Sequence, residues 1–123
     1  MILVDTSVWI DHLRHGDVEL TRLLNAGQVL IHRFVIGELA LGSLQNRNMI
    51  LNSLQNLPQV TTASDEEALL FIENNGLFGK GVGYIDAHLL AAVRLSPDAL
   101  LWTRDKRLLA ESIRIGLSVK LAH

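Results

Sequence analysis

The chain has 123 residues, 49% of them hydrophobic and 20% charged, with no cysteine and a formal net charge of -2. That length and apolar content suit a packed domain and exclude a disordered chain, and the lack of cysteine excludes a disulfide scaffold and a thiolate zinc site. The mild acidity argues against a plain polyanion binder built on a basic patch, but not against an enzyme that handles nucleic acid through metal ions: thirteen acids less four at a metal leave nine against 11 basic residues.

Ile2, Leu3 and Val4 in a row predict a short strand buried on both faces, closed by Asp5. Thr6 or Ser7 can cap a following helix that carries Val8, Trp9, Ile10 and Leu13. A second helix is expected from near Asp17 to Asn25, stopped by Gly27, and then a strand over 28–31. Residues 34–44 read as a helix despite Gly37, and 46–57 as another, ended by Pro58. Residues 59–62 make a weak strand. Ser64 and Glu67 form a capping box for the helix that Gly76 closes. The Gly-rich segment 78–83 is a loop before a helix over 84–95. A strand over 99–103, a helix over 104–115 and a short strand over 117–121 complete the chain. Strands alternating with helices imply a parallel sheet with helices on both faces, and residues 1–123 leave no room for a second domain. No stretch of 18 apolar residues and no basic, apolar leader occurs, so a cytoplasmic protein without membrane attachment is expected.

In an open parallel sheet, ligands sit beyond the carboxyl ends of the strands. Asp5 closes the first strand and Thr103 a later one, with Asp105 two residues on, so all three share one sheet edge. Residues three and four apart share a helix face. Asp86 has Leu89 and Leu90 ahead of it, Asp105 has Leu108 and Leu109, and Glu38 has Phe34 and Val35 behind and Leu41 ahead. All three carboxylates therefore project from faces that should be buried. Glu66 and Glu67 pass the same test, but acids in a first helical turn favour the macrodipole and the cap. Asp11, followed by Arg14 and His15, reads as a surface acid. Asp5 alone could be a helix cap, Asp105 a first-turn acid, and Asp86 a charge favoured by its helix dipole; Glu38, mid-helix on an apolar face, resists such a reading. Four acids converging on one spot would repel and raise one another's pKa. A hard divalent cation with oxygen ligands resolves that repulsion.

The segments "ILVDTSVWID", "GEL", "YIDAHLLAAV" and "LWTRDKRL" resemble, in order and spacing over essentially the whole chain, the PIN-domain nucleases, and among them the small VapC-type toxins. The resemblance implies a three-layer α/β/α sandwich around a short, mostly parallel central sheet, and RNA cleavage dependent on Mg²⁺, for which Mn²⁺ substitutes. The family's acidic quartet falls on Asp5, Glu38, Asp86 and Asp105, as metal ligands and catalytic groups. Its hydroxyls fall on Thr103 and on Thr6 or Ser7, as donors that orient carboxylates. It also implies an RNA substrate, such as a tRNA or another structured RNA, and a cognate protein antitoxin that carries the DNA-binding function in place of this chain. A homodimer within a larger toxin–antitoxin assembly is expected.

Arg33, Lys80, Arg104, Lys106 and Arg107 are candidates for holding RNA phosphates, against the bland alternative of surface charge. His88, two residues from Asp86, is expected at the surface or an interface. His12, His15 and His32 show no paired metal spacing, and His123 is terminal. Trp9 and Leu13 are either core or a partner-facing surface. "GKGVG" lacks the spacing of a dinucleotide site. Two other classes fit the sequence less well: a phosphoacceptor signalling domain, which usually carries an acidic pair where this chain has Asp5-Thr6, and a non-catalytic RNA-binding domain, which has no need of four mutually repelling acids.

Overall fold

The computed structural model describes residues 1–121, and His123 lies outside them. The chain runs β1 (Ile2–Val4), α1 (Thr6–His15), α2 (Val18–Asn25), β2 (Val29–Leu30), α3 (Arg33–Ala40), α4 (Arg47–Gln55), α5 (Asp65–Asn75), α6 (Tyr84–Leu95), β3 (Leu100–Trp102) and α7 (Lys106–Arg114). The strands form a parallel sheet in the order β2-β1-β3, with Leu3 beside both Leu30 and Leu101, and Val4 beside Trp102. Successive strand residues face opposite sides of a sheet. Leu3 and Val4 are both buried, as are Leu101 and Trp102, so both faces are covered and the architecture is the expected α/β/α sandwich. The run Ala87–Val93 of α6 is buried all round, which makes α6 the inner helix, packed on α5 and β3.

Several boundaries differ from those read in the sequence. Thr6 and Ser7 are the first helical residues of α1, and Asp5 is its N-cap. α3 stops at Ala40 rather than running to residue 44. Leu41 there is 90% exposed, so no packing rewards a further turn, and the Arg47 guanidinium takes over the Ala40 carbonyl at 2.7 Å. α4 ends at Gln55 and α7 begins at Lys106, behind Asp105 as its N-cap. The expected strands at 59–62 and 117–121 reduce to one parallel bridge each, Ile31 with Gln59 and Leu101 with Ser118. Both lie outside short strands: β2 is two residues long and α3 starts at Arg33, so the ladder runs out.

This order positions the site. From β1 the chain moves outward to β2 and Gln59, then returns to β3 and Ser118 on the other side. Ligand crevices in open parallel sheets form where the strand order reverses, beyond the carboxyl ends. Here that point lies between β1 and β3, whose ends are followed by Asp5 and Thr103.

The helices carry local stop and start signals. Ser64 Oγ accepts from Glu67 N–H at 3.1 Å while the Glu67 carboxylate accepts from Ser64 N–H at 2.9 Å. Gly76 ends α5 in the left-handed region at φ 59°, a conformation that favours glycine. Loss of an N-cap hydroxyl costs about 1 kcal/mol. Ser64→Ala should therefore lower the unfolding free energy by that amount, read as a lower urea midpoint at an unchanged m-value, with the acidic centre unaffected. An unaltered midpoint would show that α5 does not depend on its cap.

Candidate active site

Asp5 is 5% exposed, at the point where the central strand leaves the core. Although it occupies the N-cap position of α1, its side chain makes no capping hydrogen bond. Its Oδ2 instead accepts from Thr103 Oγ1 at 2.7 Å and from Ser7 Oγ at 2.9 Å. Asp5 N–H donates to the Trp102 carbonyl at 2.9 Å, which continues the β1–β3 ladder and brings Thr103 alongside. Thr103 Oγ1 in turn accepts from Asp105 N–H at 3.1 Å. One threonine thus fixes both acids of the sheet edge.

The other two acids arrive on helices. His32 is the N-cap of α3, its Nδ1 accepting from Phe34 N–H at 3.0 Å, and the helix buries Val35 and Leu39. Glu38 lies half-buried beside that apolar face, where its Oε1 accepts from Thr6 Oγ1 at 2.7 Å. Asp86 lies in the first turn of α6, and its Oδ2 accepts from Gly83 N–H at 3.2 Å. Asp105 caps α7 through Oδ1, which accepts from Leu108 N–H at 2.9 Å. Each of the four carboxylates is thus anchored through one oxygen. Among the described residues no hydrogen bond engages Asp5 Oδ1, Glu38 Oε2, Asp86 Oδ1 or Asp105 Oδ2.

The four acids stand within electrostatic reach of one another. Burial is the largest influence on Asp86 and raises its pKa; the Gly83 N–H pulls it back; the charges of Asp5, Asp105 and Glu38 push it further up, to about 6. The unengaged oxygens are hard donors in a region of surplus negative charge. Among the described residues no three His, Asp or Glu side chains form a ready-made cage for an ion. Mg²⁺ rarely uses such a cage: it keeps several waters and takes one or two carboxylates, with substrate phosphates completing its shell. The donor set fits an ion of that kind.

Other sequence candidates fall elsewhere. Arg33, Lys80, Lys106 and Arg107 are exposed and form no ion pair among the described residues. Arg107 lies over Gly81, where a Cβ would come within 2.8 Å of its Cδ. Arg104, expected to face phosphate, instead forks between Asp11 and Asp17, so Asp11 is not a lone surface acid. His88 is 1% exposed rather than at the surface, because it falls in the run 87–93 of α6 that is buried all round, and its Nε2 meets Asp65 Oδ1 at 3.2 Å. Trp9, 3% exposed, belongs to the core. His32 is driven down to about 4 by burial first, and then by His88 and Arg33, so it is neutral at pH 7. A cleft of about 560 Å³, lined by Ile10, Leu13, Leu39 and Ile50 among others, opens against Glu38.

The PIN-domain family model matches residues 2–111. Ribonuclease VapC32 of Mycobacterium tuberculosis, from each of two strains, is 46% identical over 119 residues, covering 97% of this chain and 96% of the relative.

The raised pKa of Asp86 has a stability consequence. A proton held more tightly in the folded than in the unfolded state stabilises the fold at low pH. The contribution of Asp86 is fully present below about 3.8 and is lost as pH rises through about 6. In chelator, the melting temperature should fall across that window relative to Asp86→Asn, which should be the more stable protein at neutral pH. Parallel pH profiles for the two proteins would contradict the raised pKa of Asp86.

Proposed function

This chain belongs to the PIN-domain family, among the VapC-type ribonucleases, and we propose that it hydrolyses RNA phosphodiester bonds as the toxin of a toxin–antitoxin pair, with a divalent cation at Asp5, Glu38, Asp86 and Asp105. The observation that carries this reading is the anchoring of all four acids through one oxygen each, with the second oxygens unengaged beside the strand ends. Such an ion supplies Lewis acidity, making a water more acidic and neutralising charge on the phosphate.

The chain's own groups provide orientation. Thr103 and Ser7 hold Asp5 in one rotamer through Oδ2, which leaves its Oδ1 unengaged at the end of the strand. Gly83 N–H does the same for Asp86, and the Leu108 N–H for Asp105. Thr6 fixes Glu38, whose second oxygen can accept a proton from an attacking water. Orienting partners of this kind are worth roughly 10–100-fold in metal affinity or activity. The exposed cations Arg33, Lys80, Lys106 and Arg107 are the remaining candidates for flanking RNA phosphates, as point charges at the rim.

The partners follow the same reading. The cleft beside Glu38, lined by apolar side chains and by Arg14, His15, Gln45 and Asn46, suits a segment of the antitoxin, which would then cover an active-site carboxylate. Leu69 and Leu70, 60% and 61% exposed on α5, suit a homodimer contact. DNA binding is assigned to the antitoxin. No helix among the described residues is long and apolar enough to cross a membrane, and the cytoplasm is the compartment in which such a toxin meets its RNA.

Purified protein should cleave RNA with Mg²⁺ or Mn²⁺ and lose that activity in excess chelator, with recovery when the ion is returned. Robust cleavage in chelator would overturn the assignment. A second test concerns Asp5→Asn. The amide oxygen can accept both hydroxyl bonds, no cap is lost, and one negative charge leaves a crowded site. Stability in chelator should hold or rise slightly. Cleavage should fall by more than the roughly 10–100-fold that loss of an orienting partner costs. A destabilised variant with full activity per folded molecule would make Asp5 a structural residue.

A further inference from the structure

The turn between β3 and α7 carries Thr103 and Asp105, and Arg104 lies between them with its side chain turned away from the acids. Its Nη1 donates to Asp11 Oδ2 at 2.7 Å, its Nη2 to Asp17 Oδ2, and its Cζ lies 5.4 Å from the centre of the Trp102 ring. Its main-chain N–H donates to Ser7 Oγ at 3.0 Å. Ser7 and Asp11 are four residues apart on α1 and so share a face. That one face meets Arg104 twice: Ser7 takes the main chain and Asp11 the guanidinium. Asp17 starts α2, with Oδ1 accepting from Leu20 N–H at 2.9 Å. A single residue therefore ties α1, the start of α2 and the β3–α7 turn together.

The charge balance argues against a phosphate-binding role. One guanidinium between two carboxylates leaves the group at net -1, which repels phosphate. Arg104 and Asp17 are 27% and 17% exposed, so water competes poorly for the contact. Arginine's planar fork also fixes direction, as a lysine point charge cannot.

We propose that Asp11, Arg104 and Asp17 form a positioning clamp for the acidic centre. By holding the turn against α1, the clamp keeps Ser7 and Thr103 on Asp5 Oδ2 and keeps Asp105 at the crevice. Arg104 is thus a positioning residue, acting on the metal-binding acids through Ser7 and the turn. The inference rests on the proposed cation site at the four acids, and its kinetic arm also on the nuclease reading.

The test compares wild type with Arg104→Gln, Arg104→Lys, Asp11→Ala and the Arg104→Gln/Asp11→Ala double variant. Three quantities are measured: kcat and KM for an RNA substrate with Mn²⁺, the rise in melting temperature on adding Mn²⁺ alone, and the urea midpoint in chelator. The clamp predicts that kcat drops about tenfold in each single variant, within the range typical of orienting partners. KM should change little, Arg104→Lys should not rescue, and the double variant should be no worse than the poorer single. The Mn²⁺-induced rise in melting temperature should shrink in all four variants. A phosphate-holding Arg104 predicts opposite signs: KM rises in Arg104→Gln and falls in Asp11→Ala, which frees the guanidinium. That pattern overturns the clamp. So does a lowered urea midpoint with unchanged kcat per folded molecule and an unchanged Mn²⁺ response, which marks a purely structural contact. If wild type fails to cut RNA, the nuclease reading falls, and the Mn²⁺ response alone decides the clamp: a shared loss supports it and no loss overturns it.

Discussion

Asp5 is 5% exposed where the central strand leaves the core, and a charge in that position is stable only if its surroundings replace the water it has lost. Two hydroxyls do so, one from the start of α1 and one from the end of β3. Much of the fold follows from supplying them. Thr103 reaches Asp5 because β3 pairs with β1 in the register that sets Val4 beside Trp102. Ser7 reaches it because α1 starts at once after the strand, with Asp5 as a backbone cap only. With β1 central, both groups sit where the strand order reverses, and α3 and α6 need only bring Glu38 and Asp86 to that edge.

The anchoring separates two demands on the same side chain. One oxygen of each acid is committed to the fold, through a hydroxyl or a main-chain N–H. The other oxygen bears the unresolved repulsion, seen in the Asp86 carboxyl held near 6 by burial and its three neighbours. A site of this kind lowers the stability of the ligand-free fold, and a cation that binds only the folded state offsets the loss by mass action. Strongly perturbed carboxylates of this sort are characteristic of functional centres.

The convergence of the four acids was legible because each is marked locally, although Asp105 is exposed ahead of α7 and does not sit on the buried face that its neighbours suggested. Asp5 follows an apolar strand, and Glu38, Asp86 and Asp105 have apolar neighbours three and four positions away. The capping box at Ser64 and the stop at Gly76 were legible for the same reason. Non-local features were not. Asp11 lies 93 and Asp17 87 positions from Arg104, and no local pattern joins them. His88 misled because a helical run buried on every side, as 87–93 is, has no polar face from which to judge a residue. The two outermost strands shrank to single bridges because their extent depends on the length of β2 and β3, not on their own propensity.

The arrangement also explains why, among the described residues, no arginine or lysine forms an ion pair with Asp5, Glu38, Asp86 or Asp105. A guanidinium on Asp5 would relieve its burial as well as two hydroxyls do, and its fixed geometry would orient the carboxylate. It would also cancel the negative charge that attracts a divalent cation. Neutral donors orient without neutralising. The cation that stiffens this region, Arg104, stands one step back, balanced by Asp11 and Asp17, and its influence on Asp5 passes through the Ser7 hydroxyl. Order reaches the acidic centre along a path that carries no positive charge into it, and the negative charge gathered there is left undiminished.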